Sequence, residues 1–258
     1  MKVVILAGGL GTRLMEETEA RPKPMVEIGG KPILWHIMKI YETYGYNDFI
    51  LCLGYKAQSI KEYFLNYYLY NSDVTIELEK NKVDVHFSNS ESFKVTLVDT
   101  GLLTNTAGRI KRIQKYLDNE TFMLTYGDGV SDVNINELVD FHKQHGKLAT
   151  LTSIQMPGRF GNIEIDNNGK VEYFVEKPQG DGVWINGGFF VLEPGIFEYL
   201  KEDMDDIQWE KKPLIDIAND GQLSAYKHNG FWKPMDALRD RIELEQLWSS
   251  GNAKWKIW

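Results

Sequence analysis

Short apolar runs alternate with longer segments of helical period through the first half of the chain. Val3–Leu6 is a continuous apolar stretch of strand length. Behind Pro32, the residues Ile33, Leu34, Ile37, Met38, Ile40, Tyr41 and Tyr44 recur at helical spacing, and a second apolar run of strand length follows at 49–53. Residues 122–125 read as another buried strand, ending in the polar Tyr126-Gly127-Asp128-Gly129. Strands that alternate with helices in this way predict βαβ units and a parallel sheet. An open α/β sheet binds its ligands at the carboxyl ends of its strands, which directs attention to Gly127 and Asp128.

The intervening and later segments follow a different period. Residues 74–78 and 83–87 alternate apolar and polar positions around Lys80-Asn81-Lys82 and predict an antiparallel hairpin added to the sheet. Residues 163–166 and 171–175 flank Asn167-Asn168-Gly169 and predict a second hairpin, so the latter half is expected to be antiparallel or mixed. Leu238, Ile242, Leu244 and Leu247 mark a C-terminal helix that begins at Asp236. No repeat or linker interrupts the chain. One domain over 1–258 is expected, with a nucleotide-binding part over about 1–130 and the remainder over about 131–258.

Composition narrows the class. With 43% hydrophobic and 26% charged residues, the 258-residue chain is that of an ordinary folded protein. A net charge of -8 argues against nucleic acid as a partner, because phosphate backbones are repelled without a basic stripe. Cys52 is the only cysteine and sits inside an apolar run, so it reads as an inert core thiol in a reducing compartment. No segment approaches membrane-span length, and a cytoplasmic location with no membrane partner is the expectation.

The first candidate chemistry follows strand one. In Gly8-Gly9-Leu10-Gly11-Thr12-Arg13, small residues after a strand let backbone N–H groups close around a phosphate. Leu14 stands where a dinucleotide fingerprint needs glycine, and the lysine of a P-loop is missing, so neither familiar nucleotide motif applies. A plain tight turn is the structural alternative. Pro22-Lys23-Pro24 holds one lysine between two residues of fixed φ; an ammonium suits phosphate oxygens, and Arg13 offers a planar fork. Lys23 can otherwise be a solvated loop residue.

The glycine loop through Arg13, then nine intervening residues and Lys23, resembles the signature of the sugar-phosphate nucleotidyltransferases. Val26-Glu27-Ile28-Gly29-Gly30-Lys31-Pro32, Val98-Asp99-Thr100-Gly101, Pro157-Gly158-Arg159-Phe160-Gly161 and Gly230-Phe231-Trp232-Lys233-Pro234-Met235-Asp236 resemble its cytidylyl branch acting on glucose 1-phosphate, nearly end to end. The resemblance implies a Rossmann-like α/β fold with a mixed, mostly parallel central sheet flanked by helices. It implies transfer of CMP from CTP to glucose 1-phosphate, releasing CDP-glucose and pyrophosphate, in a route to bacterial surface polysaccharide. The same chemistry with UTP or dTTP, or a silent nucleotide-sugar-binding subunit, are the alternatives.

By the same resemblance, Leu6, Ala7, Gly8, Gly9, Leu10, Gly11, Thr12, Arg13 and Lys23 bind the nucleotide, together with Thr104, Arg109 and Gly127. Arg109 is then a triphosphate contact; on the residues alone it is equally a surface charge on a helix. Lys23, Arg13 and Asp128 are the implied catalytic set. Asp128 and Asp236 are the implied Mg²⁺ ligands, hard oxygens of the kind that ion takes beside substrate phosphates. Taken singly, Asp128 fits an Asp-Gly turn and Asp236 a helix cap.

Glu176, Lys177, Asn186 and Gly187 are implied for the sugar phosphate, where carboxylate and amide can meet hydroxyls and ammonium can meet phosphate. The residues Leu102-Leu103-Thr104-Asn105 depart from the family's pattern beside Arg109. His142 and His145 lack a third metal ligand and are expected at the surface. Tyr63, Phe64, Tyr67, Tyr68 and Tyr70 put aromatics on too many sides of one helix for a single buried stripe, which points to a homo-oligomer, a hexamer by resemblance.

Overall fold

The computed structural model describes residues 1–14, 18, 21–156, 162–175, 183–201 and 204–258, apart from the side chains of residues 13, 162, 164 and 175. Seven strands form one sheet. Numbered along the chain they are β1 (Val3–Leu6), β2 (Asp48–Leu53), β3 (Lys94–Asp99), β4 (Phe122–Tyr126), β5 (Ala149–Ile154), β6 (Ile185–Leu192) and β7 (Leu223–His228). Their spatial order is β7-β5-β6-β4-β1-β2-β3. Pairing of β1 with β2 and β4, β2 with β3, and β5 with β7 is parallel, whereas β6 is antiparallel to both of its neighbours. The expected mixed, mostly parallel sheet is therefore present, with β6 as the strand that opposes the rest.

Among the described residues, six α-helices flank the sheet: α1 (Ile33–Thr43), α2 (Ala57–Tyr70), α3 (Thr106–Arg112), α4 (Ile135–His145), α5 (Lys212–Asn219) and α6 (Leu238–Ser249). The period-two alternation of each strand sorts its side chains onto two faces. Val3, Ile5, Phe49, Leu51 and Met123 join α1, α4 and α6 residues in one core, while Val4, Leu6, Ile50, Cys52 and Leu124 join α3 and α5 residues in the other. Both faces being covered explains why β1 and β2 read as unbroken apolar runs. Cys52 is fully buried, and burial pushes its thiol up to about 12, in keeping with an inert core residue.

The two hairpins form at Ser72–Glu77 with Lys82–Ser88 and at Asn162–Ile165 with Val171–Val175. The first does not extend the central sheet, contrary to expectation; it is a separate two-stranded sheet, and β3 forms the edge. The chain enters it directly from α2 and returns through the bond from Asn89 N–H to Asn71 O before β3 begins, so its strands lie outside the sheet layer. His142 also departs from expectation. It is 2% exposed, with one ring nitrogen bonded to Thr150 Oγ1 and the other to Glu193 Oε1, because α4 turns that side chain onto β5. Among the described residues, no helix is long and apolar enough to cross a membrane.

Candidate active site

The segments after the carboxyl ends of β1, β3 and β4 open onto one cleft of about 520 Å³. Leu6, Ala7, Gly8, Gly9, Leu10, Gly11 and Thr12 form one wall, Thr104 and Arg109 a second, and Gly127, Asp128 and Asp236 the rim, with Lys23 between them. Every nucleotide candidate named from the sequence whose side chain is described lines this cleft. Arg13 lies in a short 3-10 turn, Thr12–Leu14, and its side chain is outside the described residues.

The glycine loop is held from behind. Gly8 O accepts the N–H of Tyr55 at 3.1 Å and the Arg109 guanidinium at 2.9 Å. Arg109 is 4% exposed, and it also donates to Leu53 O, Gly101 O and the Thr100 hydroxyl at 2.8–3.0 Å. Burial draws its pKa down, but the oxygen acceptors gathered around Nη1 and Nη2 keep the charge tolerable. Arg109 is thus not the surface charge that helical position alone allows; it ties together the loops after β1, β2 and β3. A Cβ on Gly8 would lie 2.2 Å from Arg109 Nη1 and 2.9 Å from Gly54 N, so only glycine admits this strut. Gly11, at φ 66°, turns the loop back, and its carbonyl accepts the Leu14 N–H and the Thr18 hydroxyl.

Asp128 and Asp236 are 108 residues apart in the chain but adjacent in the fold. A short ladder makes them so: Gly129–Ser131 pairs antiparallel with Trp232–Pro234, and Met235 N–H donates to Asp128 O at 2.8 Å. Lys23 Nζ then bridges the carboxylates, 2.7 Å from Asp128 Oδ2 and 2.7 Å from Asp236 Oδ1. Burial alone would lower the lysine's pKa; the two carboxylates outweigh it and hold the ammonium above its ordinary value. Asp236 is not the helix cap, since Asp240 Oδ2 accepts the N–H groups of Asp236 and Ala237 at the start of α6. Two carboxylate oxygens already converge on one cation, so the donor set suits a hard divalent ion. Among the described residues no third histidine, cysteine or carboxylate joins them.

Asn186 and Gly187 begin β6 beside Tyr126, the last residue of β4. Asn186 Nδ2 donates to Tyr126 Oη at 3.3 Å, and Trp232 Nε1 donates to Gly187 O at 2.6 Å. Glu176 and Lys177 lie outside the described residues. Four further residues were not singled out in the sequence. Tyr126 Oη donates to Glu210 Oε1 at 2.6 Å, Thr106 donates to Glu210 Oε2 at 2.9 Å, and Gln208 and Thr106 line the cleft. Burial, reinforced by Glu210, pushes the Tyr126 phenol's pKa upward, so it stays a donor. Only Tyr126 carried a signal, as the strand-end residue before Gly127-Asp128; Glu210 is brought in from a distant segment without regular structure.

Comparison with known proteins accords with this geometry. The nucleotidyl transferase family model matches residues 2–241. Glucose-1-phosphate cytidylyltransferase of Salmonella typhimurium is 57% identical over 259 residues, covering 100% of both chains. The probable glucose-1-phosphate cytidylyltransferase of Bacillus subtilis is 45% identical over 258 residues, again covering 100% of both. The crystal structure of HddC from Yersinia pseudotuberculosis has a TM-score of 0.70 at 27% identity, covering 96% of this chain and 99% of that one. With family match, full-length likeness and a glycine-loop cleft in agreement, the chain belongs to the nucleotidyl transferase family, among its glucose-1-phosphate cytidylyltransferases.

Proposed function

We propose that the cleft transfers CMP from CTP to glucose 1-phosphate, giving CDP-glucose and pyrophosphate. The observation that carries the chemistry is the Lys23 ammonium held between Asp128 and Asp236 at the rim of a cleft walled by the glycine loop. The choice of base and sugar rests on full-length similarity to proteins named for that reaction.

A phosphate oxygen of the sugar phosphate attacks the α-phosphorus, the bond from that phosphorus to the pyrophosphate oxygen breaks, and the electron pair leaves with pyrophosphate. The nucleophile is already ionised, so no general base is needed. Two unit charges 4 Å apart repel by about 4 kcal/mol at an effective dielectric of 20, so bringing the reactants together is most of the task. The backbone of Gly8, Gly9, Leu10 and Gly11 is suited to cradle the triphosphate, with the Arg13 side chain as a further contact. Arg109 acts from behind that loop, and its reading as a direct triphosphate contact requires it to exchange a carbonyl for phosphate.

Asp128 and Asp236 are the residues that would hold Mg²⁺, which supplies charge neutralisation at the phosphate oxygens. Lys23, held between those carboxylates, would set its ammonium beside the reacting phosphate and stabilise the charge that develops there. Asn186, Gly187, Glu176 and Lys177 complete the reading on the sugar side. Exposed Leu65, Tyr70, Leu78 and Phe87 on α2 and the adjoining hairpin support assembly into a homo-oligomer, in the cytoplasm.

The test is pyrophosphate release with glucose 1-phosphate, Mg²⁺ and each of CTP, UTP, dTTP, ATP and GTP. Metal-dependent turnover that favours CTP is expected. Preference for another base retains the chemistry and withdraws the base, whereas no turnover by folded protein favours a silent binding subunit.

A further inference from the structure

The amide of Asn186 sits just past an irregularity in the sheet. Leu151 pairs with Phe190 and Ser153 with Asn186, so β6 spends two extra residues where β5 advances normally, and Gly188 there takes φ 90°. A ladder interrupted in this way leaves residues unpaired and re-aims the side chains beside it. The Asn186 side chain is fixed by a chain of hydrogen bonds. Gly188 N–H donates to Asn186 Oδ1 at 2.9 Å, Asn186 Nδ2 donates to Tyr126 Oη, and Tyr126 donates to Glu210 Oε1. The polarity is self-consistent. The single proton of the phenol goes to the carboxylate, so the group facing its lone pair must be the amide nitrogen, as the Gly188 bond also demands. One N–H and one oxygen lone pair of Asn186 are left for a hydroxyl.

The far end of the chain reaches the nucleotide wall. Glu210 Oε2 accepts the Thr106 hydroxyl at the first residue of α3, and Thr106 Oγ1 accepts Trp209 N–H at 2.7 Å. The segment carrying Glu210 is clamped to the same helix start, with Asn105 N–H on Asp205 O at 2.6 Å and Ala107 N–H on Ile207 O at 3.1 Å. Glu210 therefore takes its position from the wall that Thr104 and Thr106 present to the cleft, and passes it to Tyr126.

We propose that Tyr126 and Glu210 are positioning residues that hold the Asn186 amide in register for a sugar hydroxyl, with Glu210 taking its own position from the nucleotide wall. This rests on the reading of Asn186 as a sugar contact. Neither residue needs to touch the sugar.

The test is steady-state kinetics of Tyr126→Phe, Glu210→Gln, Asn186→Ala and the double variant Tyr126→Phe/Asn186→Ala, with melting temperatures alongside. Tyr126→Phe is expected to raise KM for glucose 1-phosphate about tenfold, while KM for CTP stays within about twofold and folding is retained. Glu210→Gln, which can accept from only one of its two donors, is expected to move the same constant about threefold. The double variant should be no worse than Asn186→Ala alone, since the phenol acts only through the amide. Additive effects, or equal rises in both KM values, overturn the proposal. If Asn186→Ala raises the sugar KM and Tyr126→Phe does not, the proposal fails alone. If Asn186→Ala has no effect, the sugar-contact reading fails and carries the proposal with it.

Discussion

The two sides of the cleft are built in different ways. The nucleotide wall is backbone: glycine N–H groups after β1, pinned from behind by the carbonyl bonds of one buried arginine. The side proposed for the sugar is side chain: Asn186 bonds to Tyr126, and Tyr126 to Glu210, across 60 and 84 residues. A backbone cradle tolerates little change at its glycines and serves any triphosphate. A side-chain chain can be altered one bond at a time, which suits a pocket that must choose among sugars.

The largest expected effect lies where the two sides meet. Lys23→Ala is expected to lower kcat roughly 10²–10³-fold, by loss of one preorganised charge, with an unchanged circular dichroism spectrum. Near-normal turnover would remove Lys23 from the reaction and leave it as a filler between Asp128 and Asp236. Next comes the nucleotide wall. Arg109→Met keeps much of the volume but takes the guanidinium from Gly101 O and leaves Gly8 O with only the Tyr55 N–H and Leu53 O with only Thr100, and should cost about 3 kcal/mol in urea unfolding. It should also weaken CTP binding more than sugar-phosphate binding. Equal losses on both sides would erase the contrast drawn above.

A third prediction separates the cleft from its support. His36 is fully buried among Trp35, Trp248 and Trp255, donating from Nε2 to Ile28 O, and burial pushes it down to about 4 from 6.5. Between those values the unfolded chain binds a proton that the folded chain refuses, so stability falls as pH drops from about 6.5 and the loss is complete near pH 4. The loss should reach about 3 kcal/mol at its fullest in urea melts. His36→Gln should flatten that slope and leave the kinetics at neutral pH within about twofold; an unchanged slope would assign the acid sensitivity elsewhere. The smallest effect is local. Gly11→Ala, at φ 66°, should cost about 1 kcal/mol and raise KM for CTP without moving KM for glucose 1-phosphate.

The same contrast explains what the sequence revealed. Val3–Leu6 and the glycine loop after it announce themselves because local period and composition determine them. Lys23 is legible because two prolines and a fixed spacing mark it. Asp128 and Asp236 needed family resemblance, since each alone is a turn or a cap, and only the Gly129–Ser131 ladder brings them together. On its residues alone Arg109 is equally a phosphate contact and a surface helical charge, because helical position says nothing of which face meets three loop ends. Glu210 left no mark at all, because its role is set by contacts with Thr106 and Tyr126 that no local pattern encodes. The first hairpin was legible as a hairpin but not in its place, which depends on where α2 ends rather than on its own alternation.

The most direct measurement is the fate of oxygen label. Glucose 1-phosphate carrying ¹⁸O in its non-bridging phosphate oxygens would be incubated with CTP, Mg²⁺ and the purified protein, and the products resolved by mass spectrometry. Attack by the sugar phosphate on the α-phosphorus predicts CDP-glucose that retains all of the label and pyrophosphate that carries none. Label in pyrophosphate, or CMP formed without CDP-glucose, would contradict the account.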